Sequence, residues 1–290
     1  MAEAEPCQCL MVGLPQTGKT TFLAALWHVL KSNEVPGSLV MERREGDTEY
    51  LNQIAEQWSK CSELNRTPIS GQMGVTIVIR DPAREALFQM SIPDLSGELY
   101  ASLWEDRTCS PDFAELASNA SGCIVFLHPS TLSQTAWIAN ANAIYDEWVG
   151  AEEPVVEEVS SKTASSTADW SAQDAPTQVQ MVEILQFMAL LAGRPLRLAL
   201  VISAWDLVTE EISPDAWVER QLPLLSQFLR TNDGQFEVAY MGVSAQGGPT
   251  SDADNLLAHS IAARRVQMVA ADVDGNDITH PIRWLMSPGK

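Results

Sequence analysis

Residues 13–20 read GLPQTGKT, a full match to G-x-x-x-x-G-K-S/T, and this octet constrains the chain more than any other stretch. Its spacing has a chemical reason. Gly13 and Gly18 let the backbone curl so that its N–H groups point inward around a phosphate chain. The helix that follows adds the partial positive charge of its N-terminus. Lys19 is placed to reach the β- and γ-phosphates, and Thr20 to hold Mg²⁺. Leu14, Pro15, Gln16, Thr17 and Thr21 complete the candidate cradle. The flanks agree. CQCLMV (Cys7 to Val12) is an apolar run of strand length. Thr20 to Leu30 carries Phe22, Leu23, Leu26, Val29 and Leu30 at helical spacing. Strand, loop and helix in this order are the context that a phosphate loop requires.

Charge and composition narrow the partners. The 290 residues carry a formal charge of −20, which argues against nucleic acid or an anionic membrane surface. No apolar run reaches the ~20 residues needed to cross a bilayer. MAEAEPCQCLMVG has no basic leader, so no signal peptide is expected. The five cysteines, Cys7, Cys9, Cys61, Cys109 and Cys123, form no metal spacing and read as reduced thiols. A cytoplasmic protein is expected.

Along the chain, strands alternate with helices. SLVMER (Ser38 to Arg43) reads as a short strand and Asp47 to Leu64 as a helix. VTIVIR and ALFQMSI alternate in the strand period on either side of DPAR, which predicts an antiparallel hairpin. Ser121 to Pro129, Leu196 to Asp206 and Phe236 to Ala245 read as buried strands. Helices are expected over 133–149, 177–192 and 214–230, with Ser213 as N-cap of the last, and Leu256 to Ala270 starts helical. Trp284, Ile282 and Leu285 mark the tail as a docking segment. This order predicts an α/β fold, a mostly parallel, doubly wound sheet of about six strands with one antiparallel edge strand. We read residues 1–290 as one domain with two insertions. Residues 34–72 are the first, and 150–176, acidic and rich in Ser, Thr and Ala, are a flexible second. That second insertion and the tail around Trp284 are the expected partner surfaces.

In such a sheet, ligands sit at the carboxyl ends of the strands. Asp94, His128, Ser203 to Asp206, and Ser244 with Ala245 should therefore converge near the phosphate loop. Packing is the expected role of His128 itself. DLSG (Asp94 to Gly97) fits D-x-x-G: Asp94 would contact Mg²⁺, and the Gly97 N–H could reach a γ-phosphate. SAWD (Ser203 to Asp206) occupies the place of N/T-K-x-D, with Ser203 as a smaller first residue. A carboxylate at Asp206 can accept from guanine N1–H and the 2-amino group, which adenine cannot offer. Ala204 replaces the lysine whose stem covers the base, and Trp205 could stack or pack in the core. Ser244-Ala245 matches the loop whose backbone contacts the guanine oxygen.

The series GLPQTGKT, DLSG, SAWD and VSA, with a hairpin between the first two, resembles the Ras-like GTPases of the TRAFAC class over nearly the whole chain. The insertion before the hairpin, DAPTQVQMVEILQ before LRLALVISAWDLV, and the terminal DITHPIRWL resemble bacterial double-GTPase proteins. Those are components of conflict systems in which GTPase-like proteins are encoded as partners. The resemblance implies GTP/GDP and Mg²⁺ as ligands and a switch that controls a protein partner or effector. It implies a threonine on Mg²⁺: Thr67 is the first candidate, Thr76 the second. Glu98 stands where a glutamine orients the attacking water, so slow turnover is expected. Arg66, or Arg107, could stabilise transition-state charge. Together Lys19, Glu98, Thr67 and Arg66 form the candidate catalytic set. A pseudo-GTPase scaffold remains an alternative, as does an ATPase or kinase on the same loop. A kinase lid usually carries arginines, and residues 150–176 have none.

Overall fold

A computed structural model of the chain describes residues 5–64, 74–93, 97–134, 171–271 and 273–287. The strands are β1 (Glu5–Val12), β2 (Val40–Glu45), β3 (Gly74–Asp81), β4 (Ala86–Pro93), β5 (Gly122–Leu127), β6 (Leu196–Ser203), β7 (Phe236–Ser244), β8 (Gln267–Ala270) and β9 (Val273–Gly275). The helices are α1 (Lys19–Ser32), α2 (Glu49–Ser59), α3 (Gly97–Asp106), α4 (Pro111–Asn119), α5 (Thr177–Ala192), α6 (Pro214–Gln221), α7 (Pro223–Thr231), α8 (Ala253–Leu257) and α9 (His280–Leu285).

The described strands join one sheet in the order β2-β3-β4-β1-β5-β6-β7-β8-β9. The middle, β4-β1-β5-β6-β7, is parallel. Side-chain alternation explains why both faces are covered. Met11, Ile124, Phe126 and Val201 pack on one face with α1, α2 and α9. Leu10, Val12, Val125, Leu127 and Leu200 pack on the other with α3 to α7. A strand that buries both faces must be apolar at successive positions, as CIVFL and LALVI are. Burial raises the thiols of Cys9 and Cys123, the latter to about 12, and all five cysteines are free.

The α/β class and the β3–β4 hairpin agree with the sequence reading, with Val75 opposite Ile92. The sheet is larger than expected. Among the described residues nine strands replace about six, and antiparallel pairs close both edges, β2-β3-β4 on one side and β7-β8-β9 on the other. Residues 256–270 caused part of the shortfall. Only Leu256 and Leu257, the end of α8, are α-helical there; a short 3₁₀ turn and β8 follow. Residues 214–230 make two helices, because Pro223 lacks an N–H and forces Leu222 out of helical geometry, φ −136 and ψ 59. Ser213 is at the N-cap position of α6 but makes no side-chain capping bond. The expected helix over 133–149 lies outside the described residues from 135 onward, as do residues 150–170.

The structure describes two parts of the expected partner surfaces, residues 171–176 and the tail. Residues 171–176 are fastened down: Ser171 and Asp174 form a capping box, and the Trp104 indole donates to the Ala172 carbonyl at 2.7 Å. The tail docks on its own chain, with Ile282 and Leu285 buried and Arg197 over the Trp284 ring at 4.2 Å. Arg283 reaches Asp277 at 2.9 Å and the fully buried Asp81 of the hairpin turn at 3.5 Å. The tail's apolar face is therefore used within the fold.

Candidate functional site

The phosphate loop leaves β1 at Val12 and enters α1 at Lys19. Its glycines are sterically required. A Cβ on Gly13 would stand 2.8 Å from Thr17 Oγ1 and 3.1 Å from the Phe126 carbonyl oxygen. Gly18 has φ 85, and a Cβ there would meet Ser203 at 3.0 Å. Gln16, also left-handed at φ 62, makes the reversal. No side chain caps α1 and no acidic residue occupies its first turn, so its N-terminal dipole is left for an anion. Lys19 Nζ bridges the loop, donating to the carbonyls of Gly13 at 2.7 Å and Leu14 at 2.8 Å. Thr17, which is buried, ties back to Leu14 O at 2.8 Å.

The ends of β5, β6 and β7 meet this loop. Ser203 Oγ lies 2.8 Å from Thr17 O and 3.0 Å from Leu127 O, so it pins the loop to two strand ends. Asp206 sits in a 3₁₀ turn after β6, entered through Ala204 in the left-handed region at φ 48. Ser244, at the end of β7, donates its hydroxyl to Asp206 Oδ1 and accepts from the Gly247 N–H at 3.1 Å. These contacts orient a carboxylate before any ligand arrives. Asp206, Ser244, Ala245, Gly18 and Thr21 line one cavity of about 480 Å³, large enough for a nucleoside.

The chain matches the Double-GTPase 1 family over residues 10–285. It belongs to that family. Membership supports guanine-nucleotide binding. A comparison with curated proteins gave no match. Solved structures give distant likenesses. One is a crystal structure of sup35 complexed with GDP, at 14% identity and TM-score 0.36, covering 86% of this chain and 39% of that one. Another is the bacterial selenocysteine-specific elongation factor EF-Sec, at 15% identity and TM-score 0.35, covering 87% and 28%. A third is the Arl6 small GTPase from Trypanosoma brucei with a bound nucleotide analogue, at 10% identity and TM-score 0.34, covering 89% and 98%. The chain thus spans well under two thirds of the first two of these structures. At these TM-scores the likenesses decide nothing about the fold, which the strand order defines directly.

In this double-GTPase chain the structure brings together Gly13 to Thr21, Ser203, Asp206, Ser244 and Ala245. Asp94, Thr67 and Arg66 lie outside the described residues. Gly97 opens α3, with Glu98 as its second residue. Thr76 stands in β3 with its hydroxyl 3.4 Å from Ser91, a sheet position. Arg107 is exposed and pairs with Glu183 at 3.5 Å. Trp205 is core: it is buried, and its ring covers Gly242 of β7.

That last contact carries a prediction. A Cβ on Gly242 would stand 2.3 Å from the Trp205 ring. Gly242→Ala is expected to lower unfolding free energy by about 3 kcal/mol through overpacking. Urea denaturation at equilibrium checks this, and an unchanged midpoint would show that the ring relaxes freely.

One contributor was placed near the site by its sequence position but given a packing role, and another escaped the sequence reading. His128 lines the cavity rather than only packing. Its Nδ1 accepts from the Ser130 N–H at 3.2 Å, which leaves Nε2 protonated in the neutral ring. Burial holds this imidazole below the ordinary histidine range, and the Asp206 carboxylate partly counters that. Ser62 to Leu64 also reach the cavity. No motif marks them, because their neighbours in space are far away in sequence.

Proposed function

We propose that this chain is a GTP-binding switch of low intrinsic turnover that regulates a protein partner or effector in the bacterial cytoplasm. The observation that carries the reading is one cavity lined both by Gly18 and Thr21, where the phosphate loop passes into α1, and by a carboxylate fixed by Ser244. The loop and the α1 N-terminus would hold the phosphates, and Asp206 the guanine edge. Thr20, in the first turn of α1 beside Lys19, fits a magnesium ligand, with Asp94 and Thr67 as the others we assign. Magnesium, when bound, neutralises charge on the β- and γ-phosphates. Glu98 would orient the attacking water and Arg66 would offset developing charge. Residues 1–290 would act as a single GTPase-like domain in which residues 34–72 carry the first switch.

Titration with fluorescent GTP and ATP analogues, with and without Mg²⁺, tests this. GTP should bind more tightly than ATP, with Mg²⁺ strengthening the triphosphate. Equal affinities, or a preference for ATP, sink the guanine assignment. Phosphate release under single-turnover conditions tests the enzyme reading. A parent that binds GTP and never releases phosphate would be a scaffold.

Among the described residues, no helix is long and apolar enough to cross a membrane.

A further inference from the structure

One wall of the cavity comes from neither the phosphate loop nor a strand-end loop. α2 ends at Ser59, the chain reverses at Cys61 with φ 54, and Ser62, Glu63 and Leu64 then line the cavity that Asp206 also lines. This arm is firmly held. Trp58 is fully buried, and its indole N–H donates to the Ala245 carbonyl at 2.9 Å. The Arg265 guanidinium lies over the Trp58 ring at 4.1 Å. It also donates to the Trp58 carbonyl, to the Ser59 carbonyl at 3.3 Å, and to Cys61 Sγ at 3.2 Å. Arg265 is itself buried, and Gly247 passes so close that a Cβ would stand 2.2 Å from the Arg265 carbonyl oxygen. The end of α2 and the loop after β7 are therefore one packed unit.

A planar base held at its edge by Asp206 still needs cover on its faces, because stacked apolar contact supplies much of a nucleoside's affinity. Ala204 lines the cavity but brings only a methyl group. Leu64 lines the same cavity, half-buried, and packs on the margin of the core that includes Trp58. Its neighbours Ser62 and Glu63 are exposed. We infer that Leu64 is a base-contacting residue that covers one face of the bound guanine, and that Trp58 and Arg265 are positioning residues that hold Leu64 and Ala245 in place. This rests on the guanine-nucleotide reading of the site.

The test compares GTP and GDP with inorganic tripolyphosphate, which has the phosphates and no base. Leu64→Ala should weaken GTP and GDP by the same factor, about ten-fold. Its affinity for tripolyphosphate should not change, and Leu64→Met should restore most of the loss. Trp58→Phe keeps an aromatic ring and removes the N–H donor; it should weaken both nucleotides several-fold and again spare tripolyphosphate. Unchanged GTP affinity in Leu64→Ala overturns the inference, as does an equal loss for tripolyphosphate. A parent that binds ATP as tightly as GTP sinks the guanine reading alone, and the Leu64 comparison is then scored on ATP. A parent that binds neither nucleotide overturns both.

Discussion

Lys19→Ala is expected to weaken GTP binding by about 10²–10³-fold, the range for removing one partner of a partly buried, charge-assisted contact. The amine is already on station. It bridges Gly13 O and Leu14 O at 2.7 and 2.8 Å, so it stands across the loop that would receive the phosphates. Little side-chain entropy remains to be lost on binding. Arginine should not rescue, because a planar fork cannot reproduce a compact ammonium seated between two carbonyls. Isothermal calorimetry with GTP, alongside guanosine, checks the claim. Guanosine carries no phosphate, so its weak binding should survive. A Lys19→Ala protein that binds GTP within three-fold of the parent (about 0.7 kcal/mol) would show that the phosphates are held elsewhere.

Asp206→Asn is expected to cut GTP affinity by about 10²–10³-fold and to raise affinity for xanthosine triphosphate. The reason is donor–acceptor matching. Ser244 holds Oδ1, and asparagine can keep that bond through its own Oδ1. The remaining atom then becomes an NH₂ facing the base. Guanine presents donors there, so two donors collide in a half-buried site. Xanthine presents a carbonyl at the same edge and accepts. Competition between the two triphosphates against a fluorescent analogue measures the swap. Loss of GTP affinity with no gain for the xanthine nucleotide would mean that Asp206 shapes the loop without reading the base. Loss of neither would remove it from the site.

The family of the chain, the phosphate loop and the positions of Asp206 and Ser244 were legible from local pattern. Each is a short motif at the end of an apolar run, and the parallel sheet gathers such ends on one side. Strand content was less legible. β8 and β9 have only four and three residues, too short for an alternation to stand out. The break between α6 and α7 was marked by Pro223, whose local signal the apolar spacing across 214–230 obscured. The docking tail was recognised by its apolar residues, but sequence could not say whether they face this chain or another.

By itself the sequence determined the chemistry on offer. The octet at 13–20 offers a loop of the kind that cradles phosphates, and Asp206 offers a carboxylate at the end of an apolar run. Tertiary structure decided what each offer is worth. It made Ser203 a tether for the loop and Trp205 a core ring over Gly242. It set the Asp206 carboxylate through a hydroxyl 38 residues further on. It brought Trp58 against Ala245, 187 residues apart, and so put Leu64 beside the cavity. The physical reason is the range of the forces that set each feature. Loop conformation and helix starts are fixed by neighbouring residues, whereas the walls of a cavity are fixed by which buried surfaces meet when the whole sheet closes its two cores.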